Sequence, residues 1–316
     1  MGRDRFDYLE LEGRPRRHVT APRPVAVYAP RATELRLRVV ESFGAFGHEP
    51  GELNCPSGVA VDHLGSLYVA DSYNHRVQRL SRDGQLMILG GYGGARGKFV
   101  SPQGVAVDRT LAIYVAEQGG HRVQKFDSGG RLLFCLGRKG KGPGQFDSPT
   151  GVAVDKFHNF YIADTANGRV QSFTADGIYR FSMGASQIGG AKLRKPQGVA
   201  VDDAGNIYIA DTLNDRIVKL DASGRQVMAV GARGSGSGEM IEPRDLTVDS
   251  SGRIWVVELG NNRLHAFDAM GASLGIFTGD DPEVGGLASP TGVASLNGSV
   301  YVADTLHHRV LKIAYT

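Results

Sequence analysis

Residues 196–217 read PQGVAVDDAGNIYIADTLNDRI, and the same sentence is written six times along the chain. PSGVAVD begins at Pro56, PQGVAVD at Pro102, PTGVAVD at Pro149 and PQGVAVD at Pro196, with divergent copies PRDLTVD at Pro243 and PTGVASL at Pro290. The intervals are 46, 47, 47, 47 and 47 residues, and a second phrase keeps step as YVAD at Tyr68, YVAE at Tyr114, YIAD at Tyr161, YIAD at Tyr208, WVVE at Trp255 and YVAD at Tyr301. A period in the mid-forties with room for four short strands is the spacing of a β-propeller blade.

The third copy shows why each unit folds as four strands. GVAVD alternates as strand one, Asp155 to Asn159 turns, NFYIAD is strand two, TANG loops, RVQSFTA is strand three, and Asp176-Gly177 turns into IYRFSMG as strand four. Equivalent third turns carry Asp83-Gly84, Gly129-Gly130, Ser223-Gly224 and Met270-Gly271, and no twenty-residue amphipathic helix pattern interrupts them. Twelve residues before each later repeat proline a fourth strand ends, at Gly90, Gly137, Gly184, Gly231 and Thr278, and the same count from Pro56 reaches Gly44. Arg38–Gly44 is therefore a fourth strand with no blade before it, while Arg309–Thr316 is a third strand with no fourth after it. The register predicts an all-β, six-bladed propeller in which the N-terminal strand completes the C-terminal blade and leaves no open seam.

The unit PxGVAVDxxGNIYIADTxNxRI resembles the NHL repeat, over about nine tenths of the chain. The resemblance implies a propeller fold but little about activity, because the family spans RNA-binding propellers on tripartite-motif proteins, a peptide-amidating lyase, and related hydrolase and lyase propellers. Residues 35–316 are assigned to the propeller and 1–34 to an N-terminal extension. The extension holds seven Arg, five acidic residues and four Pro, with a basic cluster at Arg14, Arg16 and Arg17 and one short apolar run at Val25–Tyr28. The charged start has no apolar h-region and the chain has no long apolar run, which together predict a cytoplasmic protein without a membrane span. Cys55 and Cys135 occupy non-equivalent positions without metal spacing and read as reduced, buried thiols.

Polar residues repeated in every blade read as scaffold. Asp71, Glu117, Asp164, Asp211, Glu258 and Asp304 close strand two, and Arg76, Arg122, Arg169, Arg216, Arg263 and Arg309 open strand three. A carboxylate there can accept loop N–H groups while the guanidinium ties down a neighbouring loop. Function is sought instead where blades differ, on the rim formed by the loops into strand one and the loops joining strands two and three.

The residue after each repeat proline is expected to ring the channel mouth: Ser57, Gln103, Thr150, Gln197, Arg244 and Thr291, with Asp245 replacing the usual glycine beside Arg244. Arg244 and Asp245 read as a local ion pair. His75, His121 and His308 occupy matching positions, with His48 and His307 nearby. Equivalent sites on successive blades are too far apart to share one zinc, whose ligands sit about 2.0–2.1 Å from the metal. No metal or other cofactor is implied.

Loops into blades two, three and four carry Arg96 and Lys98; Arg138, Lys139 and Lys141; and Lys192, Arg194 and Lys195. Those into blades six and one carry Asp280, Asp281 and Glu283, and Glu49 and Glu52, so a net charge of only +3 hides a basic arc facing an acidic one. The leading expectation is a non-enzymatic interaction scaffold whose partner is a protein or peptide, with Tyr73 and Tyr92 as aromatic anchors. A second reading is a single-stranded RNA reader that uses the arc for phosphates. A third is a metal-dependent lyase or hydrolase, which would need several ligands converging near the axis.

Overall fold

A computed structural model describes residues 35–184, 192–279 and 285–316. They form six four-stranded antiparallel sheets, each a sequential meander apart from the last. In blade three, for example, Pro149–Val154, Phe160–Asp164, Arg169–Phe173 and Tyr179–Met183 pair in order. In the last blade Pro290–Leu296, Ser299–Asp304 and Arg309–Tyr315 are completed by Leu37–Phe43, antiparallel to Arg309–Tyr315 with Leu37 opposite Tyr315 and Phe43 opposite Val310. The ring closes as the strand count requires.

Burial follows the order of strands from axis to rim. Every residue of strand two is buried in the first five blades, since both faces of that strand pack on neighbouring sheets, whereas strand four alternates buried and exposed at the outer edge. The core is divided into clusters between blades. One joins Ala153, Tyr161 and Val170 of blade three to Val199, Ile207 and Val218 of blade four. The seam between the last and first blades is built the same way, from Ala294, Tyr301 and Val310 against Val59, Leu67 and Val69.

Two glycine positions allow this packing. The glycine of strand one lies against the next blade's backbone, and a Cβ on Gly104 would sit 2.2 Å from the Thr150 carbonyl oxygen. The glycine after strand four turns with a positive φ, as at Gly90 (φ +96), where a Cβ would lie 2.1 Å from the Phe99 ring. Phe99 and its equivalents Leu53, Phe146, Leu193, Met240 and Leu287 are the buried anchors of the lead-in loops. Each fully buried anchor stabilises its loop by about 2–3 kcal/mol.

The turn between strands one and two also repeats. Asp62 Oδ1 accepts the N–H groups of Leu64 and Ser66, and its Oδ2 accepts the Tyr68 hydroxyl at 3.0 Å. Tyr114, Tyr161 and Tyr208 donate to Asp108, Asp155 and Asp202 in the same way, and Trp255 donates through Nε1 to Asp249. These bonds account for the paired Asp and aromatic residues of the two repeated phrases. The cysteines depart from expectation: Cys55 and Cys135 are both free but only partly buried, and burial still pushes their thiols up. No helix among the described residues is long and apolar enough to cross a membrane. Residues 1–34 and Asp280, Asp281 and Glu283 of the acidic loop lie outside the described residues.

Because Leu37–Phe43 supplies the outer strand of the last blade, a chain beginning at residue 35 is expected to keep the full melting temperature. One beginning at residue 45 should melt much lower. Calorimetry of the two truncations checks this, and equal melting would contradict the closure.

Candidate functional site

The rim is held by six buried carboxylates. Asp71, Glu117, Asp164, Asp211, Glu258 and Asp304 are each 0% exposed, and each receives an Arg Nε from the first residue of strand three at 2.6–2.8 Å. Each also accepts a backbone N–H from its own lead-in loop, such as Asn54 to Asp71 and Asp147 to Asp164, both at 2.7 Å. The outer guanidinium nitrogens gather loop carbonyls: Arg76 donates to the carbonyls of His48, Glu49 and Glu52, and Arg263 to those of Ser235, Gly236 and Glu239. In blade five His265 replaces the usual strand-three glutamine, fully buried, with Nδ1 on Glu258 and Nε2 on the Ser273 hydroxyl. The hydrogen bonds outweigh desolvation at Glu258 and hold its carboxyl below the usual range. Every lead-in loop described in this way is a rigid mount.

Adjacent blades are latched through the matched histidines. His75 Nδ1 accepts the Ser101 N–H at 3.0 Å, His121 Nδ1 that of Ser148 at 3.0 Å, and His308 Nδ1 that of Cys55 at 3.1 Å. Asp215 and Asn262 do the same for Glu242 and Ser289 through side-chain oxygens. The shared requirement is one acceptor atom on a left-handed residue, with φ near 50° at His75, His121, Asp215, Asn262 and His308. Imidazole, carboxylate and amide are interchangeable in that task, and these histidines work as blade-to-blade fasteners. Among the described residues no group of three or more His, Cys, Asp or Glu side chains is arranged to hold a metal ion.

The channel mouth divides into two kinds of residue. Ser57, Thr150 and Thr291 turn their hydroxyls into the seams: Ser57 Oγ donates to the Gln103 carbonyl at 2.9 Å, Thr150 Oγ1 to that of Gln197 at 2.8 Å, and Thr291 Oγ1 meets Thr305 Oγ1 at 2.6 Å. Thr165, Thr212 and Thr305 add a second latch by donating to the carbonyls of Pro196, Pro243 and Pro56, each at 2.8 Å. Gln103, Gln197 and Arg244 line the channel, with Gly, Val and Ala of the first strands beneath them.

Arg244 and Asp245 do not form the expected ion pair. The Asp245 carboxylate reaches across the seam instead and accepts the Val293 N–H of the last blade at 3.1 Å. Surrounding protein pushes its pKa up to about 7, although one side borders the channel.

The exposed rim carries both features expected from sequence. Tyr73 and Tyr92 are 65% and 74% exposed, and two residues that sequence reasoning passed over join them, Phe46 at 63% and Leu306 at 57%. The Phe46 ring lies 4.7 Å from His308, Tyr92 lies 4.9 Å from His75, and His48 Nδ1 meets Asn74 Oδ1 at 2.6 Å. These contacts seat Phe46 and Tyr92 on the histidines of the last and first blades and tie His48 to Asn74 between them. Arg96, Lys98, Arg138, Lys139, Lys141, Lys192, Arg194 and Lys195 are all exposed on the next three lead-in loops. Lys98 Nζ caps the Gly90 carbonyl and Lys139 sits 3.9 Å from Asp147. On the acidic side, Glu52 folds back to accept the N–H groups of His48 and Glu49.

Comparison with known families fits this geometry. The NHL repeat model matches residues 53–80, 99–126, 146–173 and 287–313, and a model described as a 6-bladed beta-propeller matches 192–277. The chain carries NHL repeats on a six-bladed β-propeller. It is 46% identical over 43 residues to the B-box type zinc finger protein ncl-1 of Caenorhabditis elegans and 36% identical over 61 residues to protein brain tumor of Drosophila melanogaster. Those matches cover 14% and 19% of this chain but only 5% and 6% of the two relatives. A solved gluconolactonase of Xanthomonas campestris superposes with a TM-score of 0.64 over 92% of this chain and 93% of its own, at 17% identity, a likeness of fold alone.

Two predictions follow from the fasteners. His75→Ala should destabilise the protein by about 1–2 kcal/mol by leaving the Ser101 N–H without its acceptor, and His75→Asn should restore most of that, as Asn262 serves blade five. Denaturant unfolding of both variants tests it. Asp245 gives a pH signature: a carboxyl with a folded-state pKa raised to about 7 contributes stability that is full below about pH 4 and lost as pH rises through 7. Asp245→Asn keeps an acceptor for Val293, and so should match the parent at about pH 4, pull ahead of it as pH rises through 7 and melt above it at pH 8.5.

Proposed function

We propose that this propeller is a non-enzymatic binding scaffold that captures a protein partner on its loop rim. The observation that carries the reading is the surface of Phe46, Tyr73, Tyr92 and Leu306, four large apolar side chains exposed on neighbouring loops. Aromatic side chains on pre-ordered loops lose little conformational freedom on binding, which is the physical profile of an interface hot spot. Arg76 and Asp71 hold the Phe46 loop to the blade that also presents Tyr73, so the surface is fixed before a partner arrives. The basic arc beside it would orient an acidic partner and speed encounter. A metal-dependent lyase or hydrolase fits less well, because the channel lining offers one Arg and one Asp among Gly, Val, Ala, Ser, Thr and Gln.

Single-stranded RNA is the second reading, supported by eight exposed cations on three consecutive loops. Salt separates the two. Tyr73→Ala or Tyr92→Ala should weaken capture of a protein partner about thirtyfold with little response to ionic strength. Phosphate-driven RNA binding should fall on the order of a hundredfold or more over a several-fold rise in salt and be abolished by reversing Lys139, Lys141 and Lys192 to Glu. Pull-down with the immobilised propeller and filter binding with labelled single-stranded RNA measure the two arms. Partner capture unaffected by either Tyr substitution would overturn the assignment of the aromatic surface.

A further inference from the structure

The channel holds a cation whose internal partners are missing among the described residues. Six first strands enclose a space of about 210 Å³, and five of the six positions at its mouth are neutral. Ser57, Thr150 and Thr291 spend their hydroxyls on the seams. Gln103, Gln197 and Arg244 remain, long and polar, and none makes a side-chain hydrogen bond to a described residue.

Arg244 is the unusual member. A guanidinium presents five N–H donors in a planar fork, and partial burial without acceptors is unfavourable enough that such groups are normally paired. Burial here lowers its pKa, so the charge is held at a cost. Asp245, the next residue, aims its carboxylate at Val293 in the neighbouring blade. Glu242 adds a favourable field but no ion pair. What the mouth lacks is an acceptor with two oxygens in one plane.

The nature of that acceptor follows from charge and size. The one cation and two neutral amides at the mouth can balance a single negative charge but not two, and the neighbouring Glu242 and Asp245 carboxyl groups weigh further against a dianion. A carboxylate is the monoanion whose two oxygens fit the fork bidentately. The small volume and the Gly, Val and Ala beneath the mouth suit a short aliphatic tail. We propose that the channel mouth is a binding site for a small organic monocarboxylate, with Arg244 gripping the carboxylate and Gln103 and Gln197 contributing amide hydrogen bonds. This site is separate from the aromatic rim surface, and its occupancy does not rest on the protein-partner reading.

The test is a titration of the full-length protein with sodium butyrate, followed by nuclear magnetic resonance of the arginine side chains, with butyramide and inorganic phosphate in parallel. Butyrate should shift one arginine side-chain signal saturably, butyramide should bind at least tenfold more weakly, and phosphate should bind no more tightly than butyrate. Arg244→Gln installs the residue native to two equivalent positions, so it should fold normally and lose at least tenfold in butyrate affinity. Arg244→Lys keeps the charge without the fork and should fall between. Arg82→Gln, on the exposed turn between Arg76–Leu80 and Leu86–Gly90, should bind as the parent does. Equal butyrate affinity in the parent and Arg244→Gln, equal binding of butyramide, or tighter binding of phosphate would each overturn the proposal.

Discussion

Six carboxylates with no exposure to solvent are the constraint on which this molecule depends. An unpaired buried carboxylate costs several kcal/mol, and removing one partner of a buried pair typically costs about 3–5 kcal/mol. Each blade must therefore supply a full set of donors at the same place. It does so with an Arg that opens strand three, a backbone N–H of the lead-in loop and, in several blades, an Asn or Gln amide, as Asn167 and Gln171 do around Asp164. Satisfying the carboxylate also ties down the loop in the first, second, third and fifth blades, where the Arg that neutralises it donates its outer N–H groups to loop carbonyls. Loop order is thus a consequence of burying charge, and a rim of loops and single 3-10 turns, such as Ser72–Asn74, presents its side chains from fixed positions.

A second constraint acts between blades. Flat sheets packed around an axis need their inner strands close together, which the glycine of each first strand permits and the hydroxyl and histidine fasteners hold. Where blade five departs, the departure is compensated locally. Asp245 stands where glycine would allow backbone contact, and its carboxylate replaces that contact with a hydrogen bond to Val293. Its raised pKa is the residual cost of placing a carboxylate there, and it makes that seam lose stability as pH rises from about 4 through 7.

What could be read from sequence was what repeats. The blade count, the closing strand and the Asp–Arg scaffold rest on fixed intervals, and intervals survive in a one-dimensional text. What could not be read was the direction of a side chain. Ser57, Thr150 and Thr291 occupy the channel-mouth position but point their hydroxyls into seams, because a carbonyl of the next blade, 46 or 47 residues on for Ser57 and Thr150, lies within reach. His75 reads as loop filler until Ser101, 26 residues away, is seen to need an acceptor. Phe46 escaped notice because its exposure depends on a short parallel bridge with Leu53, which turns one residue inward and the other out. The expected Arg244–Asp245 pair failed for a similar reason: adjacent residues on a strand point to opposite faces, so sequence neighbours are poor candidates for an ion pair.

The same logic explains where exposed apolar side chains and cations can gather. At the position two residues before each latching residue, blades vary freely: the exposed Tyr73 and Leu306 stand where Gly119, Ala166, the half-buried Leu213 and Gly260 stand elsewhere. At the outer side of the lead-in bridge, Phe46 and Tyr92 stand where Lys139 and Arg233 do. Neither position touches the buried carboxylate, so substitution there leaves the scaffold intact, and both are held by backbone bonds that the scaffold provides, such as Tyr73 N–H to the Asn54 carbonyl. Apolar residues have collected on the last, first and second blades and cations on the three lead-in loops that follow the first blade. A sixfold frame thereby carries a one-sided face, whose asymmetry comes entirely from residues that the fold does not require.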